Sequence, residues 1–417
     1  MMNTPSVDAV VIGSGIIGAM SAHYLQEDGR SVTMIERGEV ARGASSGNAG
    51  ILAFPEIIPI AAPGMMWKVP KWLLDPLGPL SLPPSYAMNM VPWLWRFWRA
   101  SARAAFERTV KIQAEMMPLA RSEMARVIER TGLQAMVNRT GTLDLYDSEA
   151  SFDAAAADWE TKRRAGFEFS RVGRSEIDTL QPGLAPRFRH AMFTPDGLQV
   201  SDPYEFTKAL VDHVVSRGAS LRIGDVARVE PTAAGARVVL ADGAAFEAKT
   251  VVLAGGAWSK NVAASLGDDV PLETERGYNT TLPPGAFPLQ RQLYFNDHGF
   301  VVTPLSSGVR VGGAVELGGL KLPPNYRRSE AMLTKARGFL PGLKAEGGRQ
   351  WMGFRPSTPD CLPIIGPSGA TPSVIHAFGH GHLGLTQSAA TGRLVADLAA
   401  RRRPALSIEP FRIGRFR

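Results

Sequence analysis

The amino-acid sequence predicts a mixed α/β chain in two parts: a parallel sheet layered with helices, and an antiparallel α+β part inserted into it. Three observations predict this. A β-branched run passes through glycines into a helical pattern within the first thirty residues. Alternating segments follow one another between 276 and 315, and an apolar strand meets a second glycine cluster between 351 and 386. A chain of 417 residues is long enough for both parts.

The first part rests on its opening unit. Val7 to Ile12 is short, apolar and β-branched, as a buried parallel strand requires. Gly13-Ser14-Gly15-Ile16-Ile17-Gly18 follows at once and fits G-x-G-x-x-G. Ala19 to Asp28 has helical spacing, Gly29 ends it, and Ser31 to Ile35 reads as a second strand closing on Glu36. In such a Rossmann-like unit Gly13 permits the strand-to-helix turn, Gly15 lets the backbone approach a pyrophosphate, and Gly18 lets helix and strand pack closely. Ile16 and Ile17 then lie in the first turn, where amide donors and the helix dipole favour an anion. Glu36, 18 residues after Gly18, is placed to accept hydrogen bonds from a ribose 2′-OH; an acid there disfavours a 2′-phosphate, and with it NADP. The fingerprint alone does not separate NAD from FAD.

Composition sets outer bounds. Hydrophobic residues at 45% and charged ones at 20% are ordinary for a globular enzyme. The net charge of +7 owes part of its excess to Arg401, Arg402, Arg403, Arg412, Arg415 and Arg417. These read as a solvated basic end, and no aromatic-basic interleaving or zinc-finger spacing points to nucleic acid. A single cysteine, Cys361, excludes an intrachain disulfide and a cysteine-rich metal site, and suits a reducing compartment. Met1 to Pro5 carries no basic-apolar-small signal pattern, and no apolar run reaches about 18 residues. A cytoplasmic location is expected, with peripheral contact on the inner face of the membrane as its variant.

After Glu36, the run Arg42-Gly43-Ala44-Ser45-Ser46-Gly47-Asn48-Ala49-Gly50 offers small residues and many donors, suited to lie along a ring system or a pyrophosphate. Residues 54–98 are rich in proline, methionine and tryptophan, and prolines this frequent rule out one regular element. The stretch reads as a lid or active-site wall; Lys68, Lys71, Arg96 and Arg99 among the tryptophans also suit a membrane surface. Residues 100–131 predict an amphipathic helix broken or kinked near Pro118 and ended by Gly132. Gly141 to Tyr146 alternates as a strand, and Asp153 to Arg164 is helical. Asp202 caps a helix that opens on Pro203 and stops at Gly218. Strands follow at 220–223 and 226–229, then a hairpin that turns at Ala241-Asp242-Gly243 and returns over 246–249. Thr250 to Leu253 is an apolar strand ending in Ala254-Gly255-Gly256-Ala257-Trp258, small enough to pass close to a cofactor. The segments between 276 and 315 predict an antiparallel meander, and 329–339 a helix. A strand at 374–377 runs into Phe378-Gly379-His380-Gly381-His382-Leu383-Gly384, and the last helix covers about 387–401.

Four stretches together resemble the D-amino acid oxidase superfamily of FAD-dependent amine dehydrogenases and oxidases. They are the N-terminal fingerprint, Ala254 to Trp258, Gly353-Phe354-Arg355-Pro356-Ser357-Thr358-Pro359-Asp360, and Gly379 to Gly384. Within the superfamily, Ser46 to Gly50 and the proline/tryptophan stretch are most similar to bacterial D-amino acid dehydrogenases. His382-Leu383-Gly384-Leu385-Thr386 is more similar to the D-hydroxyproline dehydrogenase branch.

The resemblance implies a discontinuous FAD-binding domain (1–53, 190–260 and 345–417) and a substrate-binding domain (54–189 and 261–344). It implies non-covalent FAD, because no histidine stands in the 43–50 loop and Gly353 occupies the position where a related subgroup carries an attachment cysteine. Implied cofactor-binding residues are Gly13, Gly15, Ile16, Ile17, Gly18, Glu36, Arg37, Ser45, Ser46, Asn48, Ala49, Gly50, Leu52 and Val226. Ala254, Gly255, Trp258, Gly379, His380, Gly381, His382, Leu383 and Gly384 complete the set. The implied chemistry is oxidation of a small amino acid, D- or cyclic secondary such as D-proline or D-hydroxyproline. A hydride passes from the amine-bearing carbon to flavin N5 and leaves an imine, with a quinone or other carrier, or O₂, as the final acceptor. Arg355 would hold the substrate carboxylate with its paired donors, and its alternative is a salt bridge to Asp360. Tyr278 either closes the pocket over the carboxylate or forms an aromatic wall. His382 faces substrate. His380 and His382, two residues apart with no third ligand, do not make a metal site.

Overall fold

The computed structural model describes residues 6–67, 69 and 80–416. Lys68, Pro70, Lys71, Trp72, Pro76 and Pro79 of the proline/tryptophan stretch, and Arg417 of the basic end, therefore lie outside the described residues.

The opening unit forms as its sequence dictates. Strand Ser6–Ile12 turns through Gly13 and Gly15 into helix Ile16–Glu27, and strand Val32–Glu36 returns parallel to the first. Two glycines are sterically required at the turn. Gly13 sits at φ 104°, where a Cβ would come within 2.5 Å of the Ala254 carbonyl oxygen; a Cβ on Gly18 would come within 1.9 Å of the Gly13 oxygen. The eight-stranded sheet built on this unit runs 220–223, 32–36, 6–12, 245–253, 235–240, 226–232, and strands 374–378 and 364–367 join beside 245–253. The hairpin return and the cofactor-side strand, expected as two elements, are one nine-residue strand, Ala245–Leu253. On one side residues 245–248 pair antiparallel with Gly235–Leu240 and residues 251–253 pair parallel with Val374–Phe378, while on the other side residues 247–253 run parallel to Ser6–Ile12. The apolar half is buried, as a strand covered on both faces requires, whereas the first half is partly exposed.

One face of this sheet packs on helices Ile16–Glu27, Arg103–Thr131, Pro203–Ser216 and Gly384–Ala399, whose apolar residues form one core with Ala9, Val11, Val252 and Ile375. Of the break or kink expected at Pro118, there is no break: helix Arg103–Thr131 runs on through it. A proline inside a helix costs about 3 kcal/mol; here the buried Met116, Met117, Ala120, Met124 and Val127 anchor both sides of it against the last helix. Pro92 is likewise inside helix Pro84–Ala100, an element the proline count concealed. Residues 149–164 form two short helices instead of one, Glu149–Ala154 and Ala156–Arg164. The last helix starts at Gly384, three residues before its expected beginning.

The second sheet has nine strands in the order 349–357, 273–282, 308–317, 300–305, 292–295, 142–146, 190–194, 170–173, with Leu80–Ser81 added beside 308–317. The expected simple meander is thus corrected: Glu273–Leu282 pairs with Gly308–Leu317 and Arg349–Ser357, not with its sequence neighbour Gln292–Phe295, which lies parallel to Thr142–Tyr146. Strands His190–Thr194 and Arg349–Ser357 belong to this sheet although they fall inside the stretches assigned to the cofactor domain. Helix Arg103–Thr131, assigned to the substrate domain, packs in the core of the first. The basic end is not simply solvated: Arg402 pairs with Asp28 and Asp397, and Arg415 clasps Asp360 at 2.7 Å. No helix among the described residues is long and apolar enough to cross a membrane.

Candidate active site

Both sheets contribute to one cavity of about 1170 Å³, above the usual 300–1,000 Å³ of a small-ligand pocket. From the first sheet it is lined by Gly13, Gly15, Ile16, Ile17, Glu36, Arg37, Val226, Ala254, Gly255 and Trp258; from the following loop by Ser45, Asn48 and Ala49. His380, Gly381, His382 and Gly384 line it before the last helix, and Tyr278 and Arg355 from the second sheet. Residues 370 apart in sequence therefore meet at one site, as the four-stretch pattern requires.

Several features suit a long anionic cofactor. Helix Ile16–Glu27 opens on the cavity with no side-chain cap and no acid in its first turn, and so does helix Gly384–Ala399. Both present orphan amides and positive potential. Ser45 Oγ accepts from the Ile16 amide at 2.9 Å and ties the 42–50 loop to the first of these helices. Glu36 is oriented by the Ser14 amide (2.9 Å) and hydroxyl (2.8 Å) on one oxygen and by the Gly38 amide (3.1 Å) on the other. Arg37 lies 3.5 Å from the centroid of the Trp258 ring, a cation–π stack on the cavity wall. His380 is buried; its Nε2 is 2.9 Å from Thr391 Oγ1, and its Nδ1 has no hydrogen-bond partner among the described residues. Burial pushes its pKa down to about 3, so it is neutral at ordinary pH. These residues fit an FAD molecule.

Six of the implied cofactor residues do not line the cavity. Gly18 packs on Gly13, and Gly50 and Leu52 pair with or beside strand Leu198–Val200. Ser46 donates to the Arg42 and Gly43 carbonyls, Leu383 is buried, and Gly379 turns the chain at φ 84°. They shape the site without facing it. Asn48 lines it, but its side chain braces its own loop, donating to Ser45 O (2.9 Å) and accepting from the Gly50 amide (2.8 Å).

Arg355 does not sit on a loop. It lies instead within Arg349–Ser357, on the edge of the second sheet, where Pro356 is tolerated because an edge strand has one side without ladder partners. Its guanidinium lies over Gly277, where a Cβ would come within 2.7 Å of Nη2. Asp360, its alternative partner, is held by Arg415. Burial pushes the Arg355 pKa down and Glu275 opposes that shift. His382 lines the cavity, with its side chain exposed. Burial lowers its pKa, against the fields of Glu56 and Glu275. Tyr278 lines the cavity; it is 1% exposed, and its hydroxyl donates to Glu316 Oε2 (2.6 Å) and accepts from the Asn325 amide (2.9 Å).

The sequence reading missed the residues that clamp the 42–50 loop from the second sheet. Arg310 donates to the Asn48 carbonyl (2.5 Å) and to Thr281 Oγ1 (2.9 Å), with burial lowering its pKa to about 10; Asn279 donates to the Gly47 carbonyl (2.7 Å). It also missed Glu56 and Glu275, two carboxylates on the cavity wall. A period-two reading of 273–282 would have put Glu275 on the face of Gly277. Cys361 is not among the lining residues of the large cavity, and burial raises its thiol to about 12. No group of three metal-ligating side chains occurs among the described residues.

The family described as FAD dependent oxidoreductase (DAO) matches residues 8–398. A protein named D-amino-acid oxidase from Bradyrhizobium diazoefficiens is 33% identical over 413 residues, covering 97% of this chain and 98% of that protein. Among solved structures, glycine oxidase from Geobacillus kaustophilus aligns with a TM-score of 0.77 at 22% identity, over 98% of this chain and 99% of that one. L-proline dehydrogenase from P. horikoshii aligns with a TM-score of 0.75 at 20% identity, over 99% and 98%.

Proposed function

The chain belongs to the DAO family of FAD-dependent oxidoreductases, and from that premise we propose that it is a dehydrogenase of a small amino acid, D- or cyclic secondary, such as D-proline or D-hydroxyproline. The carrying observation is Arg355. It is a cavity-lining guanidinium lying over Gly277, without an ion pair or hydrogen bond to another described residue. An unpaired fork of donors in such a place suits a planar carboxylate. Bound FAD supplies the hydride acceptor, and the reaction leaves an imine. The chain's own work is to bind and orient. Glu36 takes the ribose, the two open helix N-termini take anionic oxygens, Arg355 takes the carboxylate, and His382 stands beside the substrate as a neutral wall. FAD is held without a covalent link, consistent with the absence of the one thiol from the cavity wall.

For the electron acceptor we favour a membrane quinone. Helix Pro84–Ala100 turns Trp93 and Phe97 into the cavity and leaves Met88, Val91, Trp95 and Trp98 exposed on the outside, with Arg99 stacked on Trp95 at 4.8 Å. An apolar stripe with tryptophans and basic residues suits an interfacial helix. The relatives named oxidases support the second reading, O₂ as acceptor. Turnover of a panel of D-, L- and N-alkyl amino acids, with quinone and with O₂, tests both. Stoichiometric hydrogen peroxide favours the oxidase, and no turnover of any amino acid contradicts the proposal.

A further inference from the structure

We propose that Glu275 holds the substrate ammonium and takes a proton from it, completing with Arg355 a receptor for the zwitterion; this rests on the amino-acid reading above. Glu275 and Arg355 are directly opposed in the antiparallel pairing of Glu273–Leu282 with Arg349–Ser357, so their Cβ atoms start about 4.5–5.5 Å apart on one face of the sheet. Opposite charges so placed ordinarily close on each other. Here they do not: the guanidinium lies over Gly277, and no ion pair within 4.0 Å joins the two. Both side chains line the cavity.

The neighbouring acids sharpen the contrast. Glu273 accepts from the Tyr86 hydroxyl at 3.0 Å. Glu316, on the next strand, accepts from Tyr278 and lies 3.4 Å from Arg276. Glu56, the other carboxylate on the cavity wall, has Lys162 Nζ at 3.8 Å. Each has a partner within the protein, whereas the Glu275 carboxylate accepts no hydrogen bond from another described residue. An α-amino acid brings the two complementary charges at the spacing of adjacent groups, its carboxylate for Arg355 and its ammonium for Glu275.

The proton step balances within the pair. One ammonium N–H bond breaks, one O–H bond forms on Glu275, and a cation and an anion become a neutral amine and a neutral acid. The amine keeps its lone pair, which it needs before hydride can leave the adjacent carbon.

The test uses holoenzyme and two ligands that cannot be oxidised at a C–H bond beside nitrogen. These are α-aminoisobutyrate and its near-isostere pivalate, each titrated by its effect on the flavin spectrum. Wild type should prefer α-aminoisobutyrate by roughly ten- to a hundredfold, the range of one charge-assisted hydrogen bond. Glu275→Gln should retain pivalate binding and lose that preference, and Glu275→Asp should recover part of it. A preference that survives Glu275→Gln, or equal weakening of both ligands in Glu275→Gln and Glu275→Asp, overturns the role of Glu275. Wild type that binds neither carboxylate overturns the amino-acid reading beneath it.

Discussion

Replacing Arg355 tests the carboxylate assignment, and its structural setting sets the size of the effect. The guanidinium bonds to no described protein group, so truncation orphans no internal acceptor and should leave fold and FAD content near normal. The loss falls on the ligand. By analogy with truncated partners of desolvated charge pairs, Arg355→Ala should cost about 2–5 kcal/mol in kcat/KM, roughly 30- to 4,000-fold. Arg355→Lys keeps the charge but not the fork and should fall between. Gly277→Ala offers an independent route to the same defect, since its Cβ would lie 2.7 Å from Nη2 and displace the guanidinium. It should raise KM although the Arg355 side chain itself is unaltered in chemistry. The assay compares kcat/KM for an amino acid and for the matching amine without its carboxylate, in wild type and each variant. A selective loss for the amino acid is expected. Equal losses for both substrates, or a variant purified without FAD, would refute the reasoning.

Glu36→Ala should weaken FAD by about 1.5–3 kcal/mol, read as an increased dissociation constant in apoprotein reconstitution; unchanged affinity would remove the ribose contact. His382→Thr should shift the ratio of cyclic to acyclic substrate turnover with FAD retained, and an unchanged profile would place the imidazole outside the pocket. Burial holds His380 near 3 and His23 near 4, both below the unfolded value of 6.5. The unfolded chain therefore takes up protons first as pH falls below about 6.5, and stability drops from there toward the folded values, by up to about 1.4 kcal/mol per pH unit for each histidine. Thermal melts between pH 7 and 4.5 should show this, and His380→Gln should flatten the slope; an identical slope would contradict it. Trp95→Glu with Trp98→Glu should abolish co-sedimentation with anionic vesicles while leaving kcat/KM with a soluble artificial acceptor unchanged, and wild type that never sediments would remove the membrane reading.

How much was legible follows from where the information lies. The opening unit could be read to the residue because its glycines answer local sterics: Gly13 and Gly18 face backbone at distances no side chain survives. Asp202 and Pro203 likewise announced their helix, and Asp202 accepts from the Tyr204 and Glu205 amides. Prolines concealed helical continuity, since Pro92 and Pro118 sit inside helices held by tertiary packing that no local pattern reports. Strand order in the second sheet was hidden because alternation gives a face and not a partner. The Arg310 and Asn279 clamp joins residues more than 230 apart, and Glu275 acquires meaning only from the register that places it opposite Arg355.

The central claim, that this cavity binds FAD and passes it electrons from an amino acid held by its carboxylate, is tested most directly by anaerobic mixing of the holoprotein with single amino acids while flavin absorbance is followed. The account predicts that D-proline, D-hydroxyproline or another small amino acid bleaches the flavin, and that the corresponding amine without a carboxylate does so far more slowly or not at all. Flavin that stays oxidised with every amino acid, or is bleached equally by the decarboxylated amine, would contradict it.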